Sequence, residues 1–297
     1  MKRSEFLKAS AALGTLSLLP YSCLHNSTSS KFKLGYQLYS IRDEMAKDPI
    51  STIKALKSMG YEDFEHYGFS AKNGNYYGFK VSEFKSRLDD LNLTVSSGHY
   101  PFANFIDKPI AELSKYADKT IKGALAMKSK YIVWPWIAPE DRNTDGYKKL
   151  SEKLNFLGEK ITQAGLGFAY HNQGYEFDDS QGIMGYDIIC KETDANLVKL
   201  QLDMYWIMHE AKTTPVAVIA KDPERFVMWH IKDMHKESRD YTELGNGSID
   251  YVNLMPKPKD SGLEYFYIEQ GGNFKENSIN SAAFSAKYFK DNLQKYF

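Results

Sequence analysis

Eight short apolar runs in this sequence end on side chains that can do chemistry. The endings are Gln37 with Tyr39, Glu65 with His66, His99, Trp134 with Trp136, His171, Asp203, His230 and Glu269. Six of the eight carry a carboxylate or an imidazole, a convergence that solvated loop charge does not explain. The second half is the richest part: His171 with Glu176 shortly after it, Asp203, His230-Ile231-Lys232, and Glu269. Two or three carboxylates with one or two imidazoles form a mixed oxygen and nitrogen shell. That shell suits Mn²⁺, Mg²⁺, Co²⁺, Zn²⁺ or Fe²⁺ without choosing among them. Such an ion polarises a carbonyl and an adjacent hydroxyl, so that a carbon-bound proton becomes acidic. A carboxylate or imidazole beside the ion then moves that proton. Lys232 follows His230 by two residues and shares its strand face. There it binds an anionic group or stabilises an enolate, or else closes a salt bridge. No Ser-His-Asp order, nucleophile elbow or P-loop is present.

These residues need elements to position them. The pattern predicts strands over Phe32–Tyr39, Tyr61–His66, Leu93–Ser97, Tyr131–Trp134, Leu166–His171, Val198–Asp203, Phe226–Ile231 and Tyr265–Glu269. Helical spacing falls between them, over Asp48–Met59, Val81–Leu91, Ile106–Met127, Tyr147–Ala164, Tyr186–Thr193 and Thr214–Ala220, and Ser281–Leu293 closes the chain. Short strands that are apolar on both faces belong to parallel sheets. Strand followed by helix about eight times predicts an α/β fold, a single (β/α)₈ TIM barrel, with catalysis on the face where the strands finish. An open doubly wound sheet is the alternative, but no G-x-G-x-x-G follows the first strand.

The chain has 297 residues, of which Lys+Arg and Asp+Glu number 38 each, so its formal net charge is zero. A sequence-independent nucleic-acid binder needs a basic surplus, and none is present. Residues 1–30 read as a signal segment: Lys2, Arg3 and Lys8, a short apolar run to Leu19, then a polar stretch. The apolar run is about half the ~20 residues of a membrane span. Arg3-Ser4-Glu5-Phe6-Leu7-Lys8 resembles a twin-arginine export motif with Ser4 in place of the second arginine. Cys23 follows a degenerate lipobox, so a lipid anchor and a plain cleaved signal both stand. Export places the mature chain, 31–297, in the periplasm or on a membrane. It retains one cysteine, Cys190, which is expected on a helix as a small hydrophobe.

Several motifs carry a family resemblance: Gly35-Tyr36-Gln37-Leu38-Tyr39-Ser40-Ile41-Arg42, Gly60-Tyr61-Glu62-Asp63-Phe64-Glu65, Tyr170-His171-Asn172 with Glu176-Phe177, His230-Ile231-Lys232-Asp233, and Leu244-Gly245-Asn246-Gly247-Ser248-Ile249-Asp250. Together they resemble the sugar phosphate isomerase/epimerase family, the xylose-isomerase-like barrels, over nearly the whole mature chain. The resemblance implies one divalent metal held by Asp203, His230 and Glu269. It implies Glu176 as fourth ligand, with His171 as acid/base or substitute ligand, and Glu269 also as base. Gln173 stands where many relatives have a second histidine; if that histidine moves protons in the relatives, His171 or Lys232 does so here, or the reaction differs.

For such a substrate, Gln37, Glu65 and His99 are expected to bind hydroxyls, with an ion pair from Glu65 to Arg42 as the alternative. Tyr39, Trp134, Trp136 and Trp206 stack on a sugar face or fill the barrel mouth. The implied activity is metal-assisted isomerisation or epimerisation of an unphosphorylated sugar or keto-sugar. The alternatives are a lyase or dehydratase working through the same enolate on a keto-sugar or keto-glycoside, and a non-catalytic carbohydrate-binding barrel. Metal identity and oligomeric state stay open.

Overall fold

The computed structural model describes residues 32–179 and 184–297. The expected signal segment, Cys23 included, lies outside the described residues.

Eight parallel strands close a barrel: β1 (Gly35–Gln37), β2 (Asp63–His66), β3 (Thr94–His99), β4 (Tyr131–Trp134), β5 (Gly167–His171), β6 (Lys199–Asp203), β7 (Phe226–Ile231) and β8 (Tyr265–Ile268). Each pairs with its sequence neighbour, and β8 returns to β1 with Gly35 opposite Tyr267. The connections carry helices α1 (Pro49–Met59), α2 (Val81–Asp90), α3 (Ile110–Met127), α4 (Thr144–Gln163), α5 (Gly185–Glu192), α6 (Met204–Glu210), α7 (Tyr251–Leu254) and α8 (Ser278–Tyr288). This is the (β/α)₈ barrel that the strand-then-helix pattern predicts. No described helix is long and apolar enough to cross a membrane.

Local chemistry sets the helix ends. Asp48 accepts from the Ile50 and Ser51 amides, Pro49 opens α1, and Gly60 ends it at φ +99°. The third helix starts at Ile110 rather than Ile106, because Phe102–Phe105 forms a tight 3₁₀ turn and Pro109 intervenes. The last helix starts earlier than the apolar spacing indicates, at Ser278, because Asn277 caps it through the Asn280 amide. Cys190 sits half-buried on α5.

Register aligns the polar strand ends. His230 on β7 lies opposite Asp203 on β6, and Gln37 on β1 opposite Glu65 on β2. A register shift between Phe64 and Glu65 sets Glu65 opposite Ser97 on β3, an irregularity of the sort that re-aims side chains next to sites. Below the polar layer, Val133, Ala169, Met228 and Tyr267 pack together and fill the barrel interior. The Tyr267 hydroxyl meets Ser96 Oγ at 2.6 Å, and Ser96 bonds the buried Asp63 carboxylate. The barrel is a packed core with a polar layer at its strand ends, not a pore.

Two small additions flank the mouth. A three-stranded antiparallel sheet follows β2, made of Phe69–Ser70, Asn75–Tyr76 and Phe79–Lys80. A ribbon follows β7, pairing Asp233–Met234 with Tyr241–Thr242.

Candidate active site

Glu65 is the centre of the polar layer. It points inward from β2 and is fully buried. Its Oε1 accepts from Ser97 Oγ at 2.6 Å and from Gln201 Nε2 at 2.7 Å. Its Oε2 meets Gln37 Nε2 at 2.6 Å, His230 Nε2 at 2.6 Å and His99 Nε2 at 2.9 Å. Burial favours the neutral acid, but His99 and His230 outweigh it and hold the carboxyl well below the usual carboxylate range.

His230 is gripped from both sides. Glu65 takes Nε2, and Nδ1 lies 2.5 Å from Glu269 Oε2. Against burial, Glu65 and Glu269 push its pKa up to about 9. Lys232 Nζ bridges Asp203 Oδ2 at 2.5 Å and Glu269 Oε2 at 2.9 Å. Those two carboxylates overcome burial and hold the ammonium above its ordinary range. Glu269, despite burial, is held low by Lys232 and His230. Burial pushes the Asp203 carboxyl up, an effect that Lys232 and His230 counter.

Asp203 is aimed by its neighbours. Its backbone amide donates to Asn172 Oδ1 at 2.9 Å, and Asn172 Nδ2 donates to its carbonyl at 3.3 Å. Its Oδ1 caps α6 by accepting from the Trp206 amide at 3.3 Å. Oδ2 is left facing the cluster, with His171 Nε2 at 3.6 Å. The His171 ring centre lies 4.7 Å from that of His230 and 4.9 Å from that of His99. Burial, together with His230, His99 and Lys232, holds its pKa well below the ordinary value. Its buried Nδ1 has no hydrogen-bond partner among the described residues.

Ligand atoms of Asp203, His230 and Glu269 lie within 4.8 Å of one another, and so do those of His99, His171 and His230. Two carboxylates and an imidazole fit a divalent ion of intermediate hardness. The buried carboxylate on His230 Nε2 strengthens the fit, because ligating histidines are oriented by such an outer partner. With Nε2–H given to Glu65, Nδ1 is the atom turned to Glu269. Three carboxylates, Glu65, Asp203 and Glu269, gather around His230 and Lys232, and His230 would have to release its Nδ1 proton to bind an ion.

Glu176, expected as the fourth ligand, is not brought to this cluster. Its Oε1 accepts from Tyr170 Oη at 2.5 Å and its Oε2 from the Gln173 amide at 3.0 Å. Tyr170 points out of the barrel, because it alternates with inward-facing Ala169 and His171. Glu176 therefore braces the loop after β5, and burial pushes its pKa up to about 7. The β5 residue that faces the cluster is His171.

A cleft of about 570 Å³ opens over part of the cluster, while Glu65, Asp203 and His230 stay fully buried beneath it. His99, His171, Lys232 and Glu269 lie at its base, and Tyr39, Tyr67, Trp136, Tyr175, Tyr241 and Arg142 line its walls. Other expected contacts sit elsewhere. Gln37 and Glu65 are fully buried beneath the cleft and serve each other. Arg42 does not pair with Glu65; it donates to the Tyr39 carbonyl at 2.9 Å and lies over that ring. Trp134 packs on Phe102 in the strand–helix layer and donates to the Trp136 carbonyl, so Trp136 takes the wall. Trp206 lines an adjoining hollow around the loop after β5. His66 points outward to Tyr100 Oη at 3.1 Å.

Sequence reasoning missed Ser97, Asn172 and Gln201. Gln201 was findable, since it precedes Asp203 by two on one strand and so shares its face. Arg142 and Tyr175, stacked at 3.8 Å, come from loops whose course no local pattern reveals.

The chain superposes on a sugar phosphate isomerase/epimerase from Parabacteroides distasonis, with 24% identity, a TM-score of 0.76, and 90% of this chain and 96% of that one covered. A 3-keto-D-glucoside 4-epimerase from E. coli shares 18% identity at a TM-score of 0.66, covering 88% and 99%. The IolI protein, solved with a zinc atom bound, shares 15% at 0.70, covering 90% and 99%. A search of curated proteins finds no match. The family profile of the xylose isomerase-like TIM barrel matches residues 53–288. The chain belongs to the xylose isomerase-like TIM barrel family.

Proposed function

We propose that this protein is a metal-dependent isomerase or epimerase of an unphosphorylated sugar or keto-sugar. The observation that carries the reading is the convergence of ligand atoms of Asp203, His230 and Glu269 within 4.8 Å, buried beneath a cleft that Glu269 itself lines. Asp203, His230 through Nδ1, and Glu269 would hold the ion. A divalent ion there supplies Lewis acidity, which makes the carbon-bound proton next to a carbonyl acidic. Glu269, which reaches the cleft, would be the first proton acceptor. His171 lines the cleft beside Glu269 and would be the second proton carrier. Two proton carriers on different strands suit removal by one and return by the other, as epimerisation requires. The aromatic walls offer flat faces to a sugar ring, and about 570 Å³ lies in the range of small-molecule sites.

The layout of residues 1–30 supports export, and export supports an unphosphorylated substrate. The epimerase from E. coli acts on a 3-keto-D-glucoside by its name, so a keto-glycoside is the first substrate to try. The test incubates Mn²⁺-loaded protein with a panel of keto-sugars in D₂O and follows them by NMR. Deuterium entering the carbon next to the carbonyl, without net loss of sugar skeleton, supports the proposal. Loss of water or of a free sugar makes the protein a lyase. No exchange with any member leaves a binding barrel.

A further inference from the structure

We propose that Lys232 is a tethered counter-ion of the cluster, which a divalent ion must displace and which then turns into the cleft. The inference rests on the metal reading above. Lys232 Nζ lies 2.5 Å from Asp203 Oδ2 and 2.9 Å from Glu269 Oε2. Asp203 and Glu269 are two of the three residues whose ligand atoms converge. The ammonium therefore stands between the oxygens that a metal needs, and a second cation cannot share that gap with it.

The surroundings define what moves. The Lys232 carbonyl is tied to Tyr251 Oη at 2.6 Å, which holds the backbone in place. Only the flexible four-carbon stem is left to swing. Lys232 already lines the cleft, and its side chain is otherwise buried, at 4% exposure. Displacement thus carries three N–H donors from the carboxylates to the substrate space. The metal-free site is closed to a second cation, and the loaded site gains a substrate-facing ammonium. Apparent metal affinity is lowered by the fraction of molecules in which Lys232 holds the gap.

Two measurements on the full chain test this. Isothermal titration of metal-free protein with Mn²⁺ compares wild type with Lys232→Met. Acetic anhydride labelling of wild type, read by mass spectrometry, compares Lys232 with and without saturating Mn²⁺. The exposed Lys47, at 67%, serves as reference. We expect Lys232→Met to bind Mn²⁺ about tenfold tighter or more, and Lys232 labelling to rise several-fold on loading while Lys47 stays constant. Equal or weaker binding by Lys232→Met overturns the inference and leaves the metal reading standing. Lys232 labelling unchanged by saturating Mn²⁺ also overturns it, and decides the matter alone if the variant does not fold. Absence of Mn²⁺ binding to either protein overturns both readings.

Discussion

Replacing Glu65 by Gln removes the negative charge on which the polar layer is built, with almost no change in shape. Five side chains meet that carboxylate: Gln37, Ser97, His99, Gln201 and His230. The substitution leaves two imidazoles facing an amide, one of whose ends is itself a donor. Removing one partner of a buried charge network costs about 3–5 kcal/mol. At about 2–4 °C per kcal/mol for a domain of comparable size, the melting temperature should fall by about 6–20 °C. The pH dependence gives a second handle. The His230 pKa is raised from 6.5 to about 9, with Glu65 the first of the two carboxylates responsible. At 1.36 kcal/mol per pK unit this is about 3 kcal/mol. A histidine raised in the folded state contributes fully below its unfolded pKa, and the contribution is lost as pH rises through the folded one. Metal-free wild type should therefore lose about 3 kcal/mol from pH 6.5 to beyond pH 9, and Glu65→Gln should lose clearly less. Urea titrations across that range, with NMR titration of His230, measure both effects. A variant that melts with wild type, or one in which His230 still titrates near pH 9, would refute the role given to Glu65.

Other residues yield separate expectations. Glu176→Gln should leave Mn²⁺ affinity unchanged, because the carboxylate serves Tyr170 and the Gln173 amide. Its pKa is raised from 4.5 to about 7, so wild-type stability should gain up to about 3 kcal/mol as pH falls from 7 toward 4.5. That gain should vanish in the variant, as read by denaturant titration. A Cβ at Gly98 would stand 1.9 Å from His66 Nε2, inside a fully buried ring. Gly98→Ala should cost about 1–3 kcal/mol, visible by calorimetry. His171→Asn should slow deuterium exchange into substrate by about 10²–10⁴-fold while the barrel keeps its melting temperature to within a few degrees.

The barrel was legible because its strands are buried on both faces. Tyr131–Trp134 and Phe226–Ile231 occur at the bounds the apolar runs indicate. Strand-end chemistry was legible for the same reason: Asp203, His230 and Glu269 end runs whose alternation turns them inward, and they do converge. Side-chain parity and loop course account for the rest. Trp134 alternates with inward Val133 and so packs outward, which leaves the wall to Trp136. Glu176 lies five residues beyond His171, but the 3₁₀ turn Tyr175–Phe177 folds it back onto Tyr170. Two-residue strands such as Phe69–Ser70 carry too few side chains to show a period. Glu65 looked like a substrate contact because composition does not tell a rim carboxylate from one at 0% exposure.

The most direct measurement is the metal content of purified protein after Mn²⁺ loading and desalting, for wild type beside Asp203→Asn, His230→Asn and Glu269→Gln. If Asp203, His230 and Glu269 are the ligands, wild type retains one ion per chain and each variant retains a small fraction of that. Wild type that retains no ion, or variants that retain as much as wild type, would contradict the metal site.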